Sequence, residues 1–303
     1  VRRSAARALG LRQDHDSVAL LGQLLRDEVS DVRVAATRAL GRTGDRRVIP
    51  FLRDALEHED AAVQREAVFS LAHVGDQEVG SQLLALVSHG DCEVQLAAID
   101  SVAHLRPDGA KRTLERALGD RVEEVRRRAT EALGELDPER AGRAVLRRGR
   151  ERSVVLRRIQ IDLVGELRSR DAISYLEAAL NDSDARVRSR AIQALALIDC
   201  SESTEALIAS LRAPNTDDRL AVIRALGSLG RPESYSPLLE IARGGNDAPI
   251  RRQSIRALCE IDPVRASNDL SALCDDPDVC GEAAKVVVPR TNSLHDSRRE
   301  ALT

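Results

Sequence analysis

The chain has 303 residues, 43% hydrophobic and 31% charged, with a formal net charge of −3 and only four aromatic residues, Phe51, Phe69, Tyr175 and Tyr235, with no Trp or Met. No apolar run approaches the roughly 18 residues of a membrane helix, five Cys in a chain this long form no disulfide framework and suit a reducing, cytoplasmic setting, and near-neutral charge argues against bulk attraction to nucleic acid or an anionic membrane. With 44 Arg, two Lys and almost no rings for a base to stack on, single-strand nucleic-acid binding is also disfavoured.

In chain order, the opening run Val1 to Gly10 returns at Val32, Val63, Val94, Val125, Leu156, Val187, Asp218, Ile250 and Val279, at steps of 31 residues seven times, then 32, then 29. Each copy carries apolar residues at positions 1, 5, 8, 9 and 12, as in Val125, Ala129, Ala132, Leu133 and Leu136. That period near 3.6 predicts a helix. Three residues ahead of position 1 stands a side chain that can accept from the first helical turn: Asp60, Asp91, Ser153, Asp184, Asn215, Asp247 or Asp276. Val29 and Val122 take that place in two copies, and Ser30 and Asp31 are the expected substitutes in the first. Between copies, Val48, Phe51, Leu52, Ala55 and Leu56, or Ala172, Ile173, Leu176, Ala179 and Leu180, predict a further helix. The joints carry stop and start residues: Gly44-Asp45, Gly75-Asp76, Asp137-Pro138 and Asp262-Pro263.

No segment reads as a strand. One hairpin cannot bury its own apolar face, whereas stacked hairpins bury theirs against neighbours. Small Ala at positions 5 and 8 allows close helix approach, which is how a core forms with so few aromatics. The expected organisation is a solenoid of about nine and a half hairpins over residues 1–288, followed by a loose tail over 289–303. Residue 1 already falls in the second helix of a repeat, so a preceding helix is expected upstream of it.

The Val-Arg-x-x-Ala-x-x-Ala-Leu-Gly-x-Leu-Gly-Asp pattern resembles the short HEAT-like repeats of the phycobilisome-lyase type, from residue 1 to about 288. The resemblance implies an all-α, right-handed α-α superhelix with the second helices lining a concave side. It is specific for the fold and weak for function, because unrelated proteins use the repeat.

On that expected face, positions 3, 7 and 11 lie one turn apart. They include Arg38 and Arg42, then Arg65, Phe69 and His73, then Asp100 and His104, Glu131 and Glu135, Asp162 and Glu166, and finally Arg224 and Arg256. The N-terminal units are basic, the middle three carry carboxylates and the C-terminal units are basic again. This zoning suits a groove that matches the charge of a protein partner, with Phe69 as anchor. The alternative is a solvated face whose charges pair within one helix, such as Arg127 with Glu131 and Arg158 with Asp162.

Asp100, His104, His73, Glu131 and Glu135 could in principle meet at a metal. The resemblance extends to deoxyhypusine hydroxylase, a HEAT-like protein whose two irons are held by His-Glu dipeptides at about positions 3 and 4 of the second helices. Here those positions hold pairs such as Arg65-Glu66 and Arg127-Arg128, and the only His-Glu, His58-Glu59, falls in a turn. No metal and no cofactor are therefore expected. Position 2 is Arg in seven of nine units (Arg2, Arg33, Arg126, Arg157, Arg188, Arg219, Arg251), with Gln64 and Gln95 in the others. This ladder is expected to pair with loop aspartates such as Asp31 and Asp184 rather than with phosphates. Arg126 to Arg170 is the densest basic stretch, and its first helix, expected over 139–152, breaks pattern at Arg148 and Gly149. Cys92, Cys200, Cys259, Cys274 and Cys280 form no Cys-x-x-Cys pair for zinc, and no Gly-rich phosphate loop or nucleophile elbow is present.

The reading is a non-enzymatic protein–protein interaction scaffold or adaptor, binding another protein along the concave face. The alternatives are an accessory subunit of a bilin lyase, a HEAT-like DNA-binding protein, or a relative of the metal-dependent hydroxylase.

Overall fold

The 31-residue period folds as a long helix followed by a shorter one, in a computed structural model that describes residues 1–12, 15–74, 79–149, 151–244, 247–271 and 281. Two compact units divide the chain, Val1–Arg147 and Arg148–Thr303. The first holds α1 (Arg2–Leu9), α2 (His15–Leu24), α3 (Ser30–Arg42), α4 (Ile49–Leu56), α5 (Ala61–Val74), α6 (Gly80–Leu86), α7 (Cys92–Leu105), α8 (Ala110–Ala117) and α9 (Glu123–Leu136), and α10 (Pro138–Arg148) ends at its border. The second holds α11 (Val154–Glu166), α12 (Ile173–Ala179), α13 (Ala185–Ile198), α14 (Ser201–Ala209), α15 (Thr216–Leu229), α16 (Tyr235–Arg243), α17 (Ala248–Ile261) and α18 (Pro263–Asp269). Among the described residues there is no strand, and the fold is an all-α solenoid. The tenth repeat copy at Val279, Asp276, the Gly75-Asp76 joint and the 289–303 tail lie outside the described residues.

The caps explain where the long helices begin. Asp60, Asp91, Ser153, Asp184, Asn215 and Asp247 each accept a hydrogen bond from a backbone N–H of the turn that follows. At the two valine starts no side chain caps the helix, so neither Ser30 nor Asp31 takes that part at the first. Asp27 accepts from the Val29 N–H at 3.0 Å and Asp120 from the Val122 N–H at 2.8 Å, while Ser30 donates to Asp60 in the next repeat. α10 stops at Arg148 rather than reaching residue 152, because Gly149 turns left-handed (φ 75°).

Within each unit successive long helices lie side by side: α1, α3, α5, α7 and α9 in the first, and α11, α13, α15 and α17 in the second. Position 9 of each (Leu40, Leu71, Val102, Leu133, Val164, Leu195, Leu226, Leu258) is buried. Position 10 shows why the residues are small. A Cβ on Gly10 would stand 2.7 Å from Ala39 Cβ, and one on Gly165 would stand 2.7 Å from Ala194 Cβ and 3.0 Å from its Cα. Gly227 meets Ala257 in the same way. Glycine at position 10 therefore receives the residue at position 8 of the following long helix, and the backbones close to a distance that larger residues would prevent. One aromatic does enter the core. Tyr235 is fully buried, its hydroxyl donates to Asp269 at 3.0 Å and Arg265 lies over its ring at 4.0 Å. Burial and the bond to Asp269 push the phenol well above its usual pKa.

The position-2 ladder ties loops together. Arg33 donates through Nη1 to the carbonyls of Asp27 and Glu28 in its own turn, and through Nη2 to Asp60 of the next at 2.6 Å. Arg157 repeats this with the carbonyls of Glu151 and Arg152 and with Asp182 at 2.8 Å, a pair with side chains 9% and 2% exposed. Arg188 binds Asp218, and Gln95 spans Val87 and Asp120. The carboxylates that serve the ladder are thus Asp27, Asp60, Asp182 and Asp218. Asp31 instead pairs with Arg3, and Asp184 caps α13.

Candidate protein-binding face

Several of the charges at positions 3 and 7 of the long helices are committed to neighbouring helices. Arg38 (position 7, α3) donates through Nε and Nη2 to both oxygens of Glu66 (position 4, α5) at 2.9 and 2.6 Å. The same step of 28 residues joins Asp100 of α7 to Arg128 of α9 and Asp162 of α11 to Arg190 of α13, with the polarity reversed. Arg65 reaches Glu93 at 3.2 Å. The Glu66 carboxylate raises the pKa of Arg38, and Asp100 raises that of Arg128, in each case chiefly through the direct hydrogen bond.

Two expectations change here. Asp162 pairs with Arg190 of the next helix and not with Arg158 four residues before it, because the neighbouring long helix offers a guanidinium at the facing level. Arg127 does form the expected pair with Glu131 at 2.6 Å, and it also binds Glu124. A reading of positions 3, 7 and 11 alone leaves out position 4, where Glu66, Arg128 and Arg190 stand. The signal for them is the constant step of 28 residues.

Around these pairs the face keeps several exposed groups. Phe69 is 43% exposed at position 7 of α5, with Arg65 and His73 one turn to either side. Arg42, His73, His104, Glu135, Glu166 and Arg224 are exposed at their predicted positions, while Arg256 is exposed and carries a polar interaction of its own. Asp100, His104, Arg106, Arg128 and Glu135 line a cavity of about 290 Å³. Asp100 and Glu131 both turn to Arg128, and among the described residues no three His, Cys, Asp or Glu side chains are grouped to hold a metal ion. In the second unit Leu197 and Arg224 border a largely apolar groove of about 580 Å³ between α13 and α15. Cys92, Cys200 and Cys259 are free thiols, and Cys274 and Cys280 lie outside the described residues. No described helix is long and apolar enough to cross a membrane.

A family model described as HEAT repeats matches residues 1–72, 50–134, 80–160, 143–217 and 204–286. A search of curated proteins gives no significant match. Among solved structures, an engineered protein is similar at 20% identity over 95% of this chain and 94% of its own, with a TM-score of 0.49. Human deoxyhypusine hydroxylase in complex with glycerol is similar at 20% identity over 94% and 96%, TM-score 0.36. The complex of CpcE and CpcF of phycocyanin lyase from a Nostoc species is similar at 19% identity over 84% and 94%, TM-score 0.33. At these identities and scores the likenesses bear on neither activity nor partner.

Proposed function

The chain belongs to the HEAT-repeat family, and from that premise we propose that it is a non-enzymatic scaffold that receives another protein on its long-helix face. One observation carries this reading. Phe69 holds a large ring in solvent at a position where neighbouring helices place charged residues engaged in ion pairs. An exposed aromatic among fixed polar pairs has the character of an interface anchor: apolar area is available at small entropic cost, and the surrounding polar groups are already oriented. Arg42 and His73 extend the same patch.

The test is affinity capture from the native host with the wild type and an Arg42→Ala/Phe69→Ala/His73→Ala variant. Arg38 is left intact, because it is already engaged by Glu66. The expected result is loss of specific partners by the triple variant and retention by Arg112→Ala on α8. An identical partner set from all three proteins would refute the reading.

A further inference from the structure

At three places on the long-helix face, a charge at position 7 is neutralised by a residue of opposite sign at position 4 of the following helix: Arg38 with Glu66, Asp100 with Arg128 and Asp162 with Arg190. Arg7 of α1 has no such partner. Its facing position 4 is Ala35, and no carboxylate is within ion-pair reach of it among the described residues. Arg42, at the end of α3, likewise has no carboxylate partner among the described residues. Both line a cavity of about 260 Å³ between α1 and α3, together with Arg3, Arg38 and the carboxylate of Asp31. The other two arginines are spoken for: Arg3 pairs with Asp31 at 3.2 Å and Arg38 with Glu66 at 2.6 Å. The cavity therefore presents two uncompensated guanidinium groups, with two more held in place by their own carboxylates.

We propose that this pocket binds a phosphate monoester. Two uncompensated unit charges match a phosphoryl group, which carries close to two negative charges at neutral pH. A single carboxylate would neutralise only one of them. The planar fork of Arg suits the tetrahedral oxygens. The cavity is smaller than the roughly 300–1,000 Å³ of typical small-molecule pockets and has no aromatic lining, so it accommodates the phosphoryl head and the first atoms of its carrier rather than a nucleobase. The carrier is a phosphorylated side chain or a small phosphate ester. The inference does not need Phe69, although Arg42 is shared with the proposed partner face; Ala35→Glu tests the pocket without touching that face.

The probe is inorganic phosphate, titrated at low salt into the folded full chain and followed by calorimetry. Saturable binding is expected, weakened at least ten-fold in Arg42→Gln and in Ala35→Glu, and unchanged in Arg112→Gln. Ala35→Glu retains every guanidinium and supplies Arg7 with the counter-ion that its neighbour Arg38 already has. Glu66, at the equivalent position, shows that the fold accepts a glutamate there at 8% exposure. Arg42→Gln changes an exposed side chain, so its result does not depend on how position 35 packs. A phosphoserine tripeptide and glycerol phosphate then separate the sources: tighter binding of the first assigns the pocket to a phosphorylated protein segment, and of the second to a small ester, with either supporting the site. Absence of saturable phosphate binding by the wild type, or binding by Ala35→Glu as tight as wild type, would overturn the proposal.

Discussion

Arg38 and Glu66 are 28 residues apart and joined by two parallel hydrogen bonds of 2.9 and 2.6 Å. The pair links consecutive long helices, with one partner half exposed and the other nearly covered, at 49% and 11%. It performs two tasks. It ties α5 to α3 at the surface, and it neutralises two charges that the sequence alone would count as available.

Reversing one end should cost little, and reversing both should restore the loss. Arg38→Glu places like charges together and is expected to lower stability by about 1 kcal/mol, in the range of solvent-accessible pairs. Arg38→Glu/Glu66→Arg is expected to recover most of it. The check is a double-mutant cycle by urea denaturation, where additive single effects would show that the pair contributes nothing.

The Arg157–Asp182 pair belongs to a different class, because both side chains are buried. Asp182→Ala leaves a guanidinium inside without its carboxylate and is expected to cost about 3–5 kcal/mol. Arg157→Met/Asp182→Leu removes both charges and should lie much closer to wild type. A loss below about 1 kcal/mol for Asp182→Ala, read from the urea midpoint, would show that the pair is effectively solvated.

Glycine content is not uniformly tolerant of change. Gly165→Val drives a side chain into Ala194 and the backbone behind it and is expected to destabilise by about 1–3 kcal/mol despite better intrinsic helix propensity. A Cβ on Gly90 meets nothing within 4 Å, and its φ is not left-handed. Gly90→Ala is expected to be neutral or stabilising by about 0.4–1 kcal/mol. Thermal melting of the two variants compares the signs directly.

Asp60 is one of the carboxylates that contribute to the acid-side pH dependence. The bond from Ser30, followed by those from Arg33 and the Ala62 N–H, holds its pKa below the usual 3.8. The folded state thus binds fewer protons at this group than the unfolded state does across that window. Its stabilisation is complete above about pH 4 and disappears as pH falls through the lowered folded value. Asp60→Asn should therefore reduce stability at pH 7 and flatten the acid limb of the stability curve, as measured by urea midpoints between pH 2 and 7. An unchanged acid limb would remove Asp60 from the account.

The period and its small residues made the helical hairpins legible before any coordinates, because positions 1, 5, 8, 9 and 12 encode both the helix and its buried stripe. Caps such as Asp91 and Asn215 were equally plain. What escaped was pairing between repeats. Asp31 and Asp184 lie closest in sequence to the ladder arginines Arg33 and Arg188, yet Asp60 and Asp218 serve them, since the long side chain spans from its own turn to the turn of the next repeat. For the face, side-chain identity at positions 3, 7 and 11 located Phe69 and Arg42 correctly on the exposed stripe. It could not show that Arg38, Asp100 and Asp162 were already neutralised, because that depends on which level of the adjoining helix faces each one.

Among the described residues, the cross-links that join one repeat to the next span similar short stretches of chain, such as 25 residues for Arg157–Asp182 and 34 for Tyr235–Asp269. The chain never has to bring distant segments together before it gains a contact. Such low contact order belongs to rapid folders. Assembly can start at any hairpin and spread outward in both directions, each new hairpin docking on one already formed.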